Sequence, residues 1–279
     1  MSCTPDSLPT TWQVPDYEVQ VFHPKRTRYC IGIPIINEGE RIRTQLAEMY
    51  EQGLPDQADV ILADGGSNDG STAADVLEPV GVRTLLTKRG PGKLSAQLRM
   101  LFAYGLCEGY DGFVLIDGNG KDGVEGIPQF LEAMSEGWDY IQGSRYIPGG
   151  VERNTPLSRK LGVKFLHAPL LSIASGTRYT DTTNGFRAVS KAFLEDARLQ
   201  PFRDVFDTYN LHYYLSLMAP KLGYQVKEVP VRREYPDSGA IPSKIKGLSA
   251  NWHIMQLLFE TVIGRYTPKE VDKSSETPS

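Results

Sequence analysis

Through the first half of the chain, apolar runs that end on Asp, Asn or Gly alternate with stretches of helical spacing. Residues 29–36 (YCIGIPII) read as a strand, and residues 39–53 as the helix behind it. ADVILAD, closing on Asp64, is a second strand, with a helix inside residues 69–81. VRTLLT from Val82 is a third, followed over residues 93–109 by a helix with Leu94, Leu98, Leu101 and Phe102 on one side. A fourth strand, DGFVLIDG from Asp111, runs Val114-Leu115-Ile116 straight into Asp117. Strands that are apolar throughout, rather than alternating, are buried on both faces. The βαβαβαβ order predicts an α/β fold with a mostly parallel central sheet and helices on both faces.

The ends read differently. Residues 1–27, with Pro5, Pro9, Pro15 and Pro24, predict an extended N-terminal arm. Residues 28–246 form the α/β domain, residues 247–266 a C-terminal amphipathic helix, and residues 267–279 a disordered tail. In that helix Leu248, Trp252, Met255, Leu258, Phe259 and Val262 recur at helical spacing, with Tyr266 at the end. Such a stripe suits a membrane interface or a cover for the core. SRKLGVKFLHAPLLSIA, basic and then apolar, is a second interfacial candidate. No run approaches the roughly 20 apolar residues of a membrane span, so any membrane contact is expected to be peripheral.

Composition narrows this little. With 279 residues the chain suffices for a sizeable core, and a net charge of −4 argues against a nucleic-acid binder. The three cysteines, Cys3, Cys30 and Cys107, lack metal spacing; the odd count argues against a disulfide scaffold and fits a reducing compartment. The opening residues have neither a basic lead nor a long apolar run, so no signal or transit peptide is expected.

Ligands of such sheets sit at the carboxyl ends of the strands. NEGE, DGGSNDGS and DGNGKDG, after Ile36, Ala63 and Ile116, are therefore expected to share one crevice. Asp117 is the candidate for metal chemistry, yet its loop carries Asn119 and Lys121 where more acid would be expected.

At these residues the chain resembles the family 2 glycosyltransferases, and within them the dolichol-phosphate or polyprenyl-phosphate mannosyltransferase branch. The resemblance runs from about Tyr29 to Lys246, through IPIINEGERI, ADGGSNDGST, LIDGNGKDG, GSRY, DTTNGFRAVSK, VKEVPV and SGAIPSK in that order. It implies a GT-A (Rossmann-like) fold and an inverting transfer from a nucleotide-diphosphate sugar, GDP-mannose or a UDP-sugar, to a polyprenyl or dolichyl phosphate. Pro34, Glu38 and Asp64 fall where the family binds base and ribose. Asp64 can accept an N–H from a base edge, and Lys93, at a helix start, is a candidate for the donor phosphates. Asp69 reads equally as a helix N-cap or a ligand contact.

A departing diphosphate needs its charge neutralised, which Mg²⁺ or Mn²⁺ does in the family. Asp117 and Asn119 fall on its metal motif, with Asp122 as a helper and Lys121 placed for a phosphate. An acceptor phosphate is already an anion and needs cations rather than a general base. Arg145 and Arg159 match acceptor-phosphate positions, and Arg187 and Lys244 are further candidates. Asp181 is the acid left to orient the sugar or act as base; His212 reads first as a packing histidine. The alternatives are transfer to a glycan or small-molecule hydroxyl, and nucleotide-sugar binding with little turnover. The implied location is the cytoplasmic face of a membrane, without a span.

Overall fold

The computed structural model describes residues 3–235 and 247–268. Eight strands make the main sheet: β1 Tyr17–Val21, β2 Tyr29–Ile35, β3 Asp59–Asp64, β4 Val82–Lys88, β5 Gly112–Leu115, β6 Tyr140–Ser144, β8 Arg187–Ser190 and β9 Val226–Pro230, in the order β1-β4-β3-β2-β5-β8-β6-β9. β7 Val151–Arg153 and β10 Arg232–Glu234 form a parallel pair apart from it. The predicted strands are the parallel run β4-β3-β2-β5. Every residue of β3 and β5 is buried, as unbroken apolar runs require. Beyond β5 the sheet turns mixed: β8 is antiparallel to both β5 and β6, and β9 is parallel to β6. β5 and β6 therefore point the same way, and the loops that follow them lie on one edge of the sheet.

The N-terminal arm packs onto the α/β domain. Its β1 pairs antiparallel with β4, Tyr17 opposite Lys88, and closes that edge of the sheet. Trp12 stacks on Phe202 at 3.9 Å between ring centres. Cys3 and Cys107 form a disulfide, Cα to Cα 5.8 Å, which corrects the expectation drawn from cysteine spacing. The arm returns across the fold to the end of a helix, a contact that spacing along the chain does not encode.

Two apolar cores fill the faces of the sheet. One gathers Ile42, Leu46 and Met49 with Ile127 and Phe130. The other gathers the helix Leu94–Cys107, the helix Asn210–Lys221 and Leu257 and Leu258 of the helix Gly247–Val262. The helix Leu94–Cys107 is buried from Ser95 to Leu106, not only on its predicted side, because it lies between the sheet and other helices. It packs close to the sheet: a Cβ at Gly32 would come within 2.2 Å of Leu101. The C-terminal helix covers the core with one part of its stripe and leaves another part exposed. Leu258 is fully buried, while Trp252 and Phe259 are 74% and 57% exposed. The side chain of Leu248 and residues 269–279 lie outside what is described.

Candidate active site

Three adjacent strands, β3, β2 and β5, deliver the three polar loops to one edge. Hydrogen bonds sew the first two loops together. Asn37 N–H donates to Ser67 Oγ at 2.9 Å, Asn68 N–H to Asn37 Oδ1 at 2.9 Å, and Gly39 N–H to Asp69 Oδ2 at 2.8 Å. Asn37 has φ +51°, a left-handed conformation that asparagine tolerates better than most residues. Asp69 is thus a brace between loops rather than an N-cap, since the next helix begins at Ala74. Below, Gln97 Nε2 donates to the carbonyls of Ile35 and Ala63, both at 2.7 Å, and ties the ends of β2 and β3 to the helix beneath. The third loop is tied to the helix Glu40–Glu51 that follows the first, through Gly120 N–H to Gln45 Oε1 at 3.1 Å.

Asp64 is buried, and both its oxygens accept from the Ser67 backbone N–H while Oδ1 also takes the Ser67 hydroxyl at 2.5 Å. Glu38 accepts from Arg41 Nε and Nη2 at 3.1 and 2.8 Å. These two acids shape the loops in which they stand. Pro34 lies in β2 opposite Ala63 of β3, partly exposed. Lys93 is exposed where the chain enters the helix Leu94–Cys107, and its N–H donates to the carbonyl of Asp207 at 3.1 Å.

Asp117 is at the centre. Its Oδ2 accepts from Arg233 Nη2 and from Asn119 Nδ2, both at 3.2 Å. Gly185 is pressed against it: a Cβ there would lie 2.6 Å from Asp117 Oδ1, so only glycine lets the 181–186 segment approach. Burial raises the pKa of Asp117, but Arg233, Lys121 and His212 outweigh it and hold the group below the usual carboxylate range. Arg233 Nη1 also donates to Asp122 Oδ2, and to Asn184 Oδ1 at 3.4 Å. Asp122 is pushed the other way, its pKa raised by burial despite Arg233. Lys121, 5% exposed, has its ammonium 5.3 Å from the ring centre of Tyr235. Burial and the neighbouring Arg233 lower its pKa to about 8.

Arg145 and Asp181 form a second, fully buried pair. Arg145 Nε and Nη2 donate to Asp181 at 2.6 and 2.9 Å, and Nη2 reaches Thr183 Oγ1 at 3.2 Å. Glu228 holds the segment before it, accepting from Thr180 N–H and Oγ1 at 2.8 Å each. Both oxygens of Asp181 are thus engaged by the Arg145 guanidinium.

Arg187 corrects an expectation. It was expected at the acceptor phosphate, but it is 1% exposed and points into the core. There it donates to Tyr140 Oη at 2.9 Å and to the carbonyls of His212 and Asn184 at 3.0 and 2.5 Å. At the start of β8, its side chain faces the helix Asn210–Lys221 instead of the loop edge. His212 is buried in that helix, its pKa well lowered by burial and then by Arg187, which fits its reading as a packing histidine. Arg159 lies on the helix Leu157–Gly162, and Lys244 falls outside the described residues. Arg233 was not singled out from the sequence. Its only sequence trace is the basic pair after VKEVPV, where the three-residue strand β10 turns Arg233 inward and leaves Arg232 and Glu234 partly exposed.

The donor set tests the fit to a divalent ion. Hard cations take oxygen ligands, and Mg²⁺ commonly uses one or two carboxylates plus substrate phosphates. The loop offers the Asp117 carboxylate and the Asn119 side-chain oxygen, which now accepts the Lys121 N–H at 3.3 Å. Among the described residues no three His, Cys, Asp or Glu side chains gather as a cage. The residues fit an ion that arrives with a phosphate ligand, and do not enclose one alone.

No protein-family model matches the chain. An undecaprenyl-phosphate mannosyltransferase of Micrococcus luteus is 30% identical over 237 residues, 79% of this chain and 94% of the relative. A polyprenol monophosphomannose synthase of Mycolicibacterium smegmatis is 31% identical over 208 residues, 73% and 76% of the two chains. The chain belongs to the polyprenyl-phosphate mannosyltransferase branch of the family 2 glycosyltransferases. It is a glycosyltransferase of the GT-A fold. Among solved structures the fold is similar to that of glucosyl-3-phosphoglycerate synthase of Mycobacterium tuberculosis, solved with Mn²⁺, UDP and phosphoglyceric acid: TM-score 0.60, 17% identity, 87% of this chain and 80% of that one. No helix among the described residues is long and apolar enough to cross a membrane.

Proposed function

We propose that this glycosyltransferase moves a sugar, with inversion, from a nucleotide-diphosphate sugar to a polyprenyl phosphate. The observation that carries the reading is the pairing of the acids. Asp117 and Asp122 are held by Arg233, and Asp181 by Arg145. A hydroxyl acceptor needs a base to take its proton, whereas a phosphate monoester attacks as the anion it already is. A site whose central acids are all engaged by guanidiniums suits the second acceptor.

Base and ribose sit over Pro34, Glu38 and Asp64, with Lys93 toward the open end and the diphosphate at Asp117 and Lys121. Arg145, oriented by Asp181, and Arg159 receive the acceptor phosphate; Lys244 belongs to the same set. A divalent Mg²⁺ or Mn²⁺, bound with the donor, would be held by Asp117 and Asn119 and would supply Lewis-acid neutralisation of the leaving diphosphate.

The lipid chain asks for an apolar landing. Phe165 and Ile173 are 68% and 82% exposed, and the helix Ala168–Ser175 packs against the helix that carries Trp252 and Phe259, both exposed, as is Ile263 just past its end. Apolar side chains on two neighbouring helices suit a peripheral seat on a membrane surface. The test is incubation with a panel of nucleotide sugars and undecaprenyl phosphate, with and without Mn²⁺, read by mass spectrometry of the lipid fraction. A glycosylated lipid phosphate is expected from one donor. Sugar appearing only on hydroxyl acceptors would overturn the assignment.

A further inference from the structure

The acidic loop after β5 is zipped to β10. Gly123 N–H donates to the Arg232 carbonyl at 3.0 Å and Glu234 N–H to the Lys121 carbonyl at 2.8 Å, with Asp122 bridged antiparallel to Arg233. That register drives the Arg233 side chain between Asp117 and Asp122, where it donates to both. One cation between two carboxylates is the arrangement a divalent ion commonly takes. Here the cation is part of the chain.

A second built-in cation, Lys121, lies in the same loop and is as nearly buried. Meanwhile Asn119, two residues past Asp117, turns its amide N–H toward that carboxylate. The site has an amide where a second acid would serve a metal, and two cations close to it. Cations held near one another in a cleft with little water are costly unless anions stand among them. Asp117 and Asp122 meet that cost in the free protein, and a diphosphate adds further acceptors for the same donors.

We propose that Arg233, with Lys121, neutralises the donor's diphosphate, so that a nucleoside diphosphate is held without a divalent ion and the ion only adds to charge already in place. This rests on the nucleotide-sugar reading above. Arginine suits the role because its planar fork stays charged and pairs with two oxygens at once.

Calorimetric titration of the full chain with GDP and with UDP, in EDTA and in Mn²⁺, tests it. One of the two is expected to bind in EDTA within about tenfold of its affinity in Mn²⁺. Arg233→Met is expected to lose about tenfold or more in EDTA and to recover in Mn²⁺, since Asp117 and Asp122 are then released to accept the ion. Lys121→Met, which leaves the Arg233 pairs standing, is expected to weaken binding in EDTA as well. It decides the matter with the wild-type titration should thermal melting show that Arg233→Met does not fold. Wild-type binding that requires Mn²⁺ overturns the inference and leaves the glycosyltransferase reading intact. So does undiminished EDTA binding by the substituted proteins. Absence of binding by either nucleotide in both buffers overturns the nucleotide-sugar reading itself.

Discussion

Arg145 Nε and Nη2 donate to the two oxygens of Asp181, and neither side chain has more than 1% of its surface exposed. Removing one partner of a buried pair strands the other charge. Asp181→Ala is therefore expected to cost about 3–5 kcal/mol, measured by urea unfolding at neutral pH. Asp181→Asn keeps the shape but not the charge. Its lipid-transfer rate is expected to fall while its nucleotide affinity holds. A wild-type rate in the asparagine variant would remove Asp181 from the reaction.

Arg187 offers the opposite case, a family-motif arginine placed in the core. Its guanidinium satisfies the carbonyls of Asn184 and His212. Arg187→Met takes one donor from each, while Gln142 Nε2 and Ser216 Oγ still donate to them, and about 1 kcal/mol of stability is expected to go with each lost bond. The KM for lipid phosphate in the folded fraction is expected to stay put. A raised KM at unchanged stability would return Arg187 to the acceptor site.

His167 sets a pH dependence. Burial lowers its pKa to about 4, with the Asp181 charge opposing only in part, and its ring lies 5.4 Å from that of Tyr213. In the unfolded chain the same group takes its proton near 6.5. Between these values the unfolded state binds a proton that the folded state refuses. Stability is thus complete above about pH 6.5 and falls as pH drops toward 4, by up to about 3 kcal/mol from this residue. Urea midpoints at pH 7, 5 and 4 check it. His167→Phe is expected to flatten the fall; an equal fall in the variant would assign it to other groups.

The exposed apolar side chains carry the membrane reading. Phe165→Glu and Ile173→Glu are expected to reduce co-sedimentation with anionic liposomes several-fold, at about 0.8 kcal/mol per methylene no longer buried in lipid. Nucleotide binding serves as the control, because both residues lie outside the loop edge. Unchanged sedimentation of the double variant would place the membrane contact elsewhere or nowhere.

What could be read from the sequence follows from how local each feature is. β2, β3 and β5 show as apolar runs because both faces of those strands are covered, and β4 shows through Leu85 and Leu86 although Arg83 and Thr84 interrupt it. Asp117 stands out as the acid just beyond one of them. β1 escaped notice because its YEVQV alternates polar and apolar and is flanked by prolines, and only pairing with β4 gives it a place. The Arg145 and Asp181 motifs were both visible, but not that each occupies the other, since they meet only when β6 and the approach to β8 reach the same edge. Arg233 was invisible for a related reason. In a strand of three residues, the side that faces inward is set by the bridge to Asp122, not by any repeat.

The stitching of Asn37, Gly39, Ser67, Asn68 and Asp69 bears on how a nucleotide is received. Two loops that already hold each other's backbone lose little freedom when a ligand settles on them. Their disorder was surrendered when the chain folded, so the incoming molecule's contacts express themselves as affinity instead of being consumed in ordering the rim.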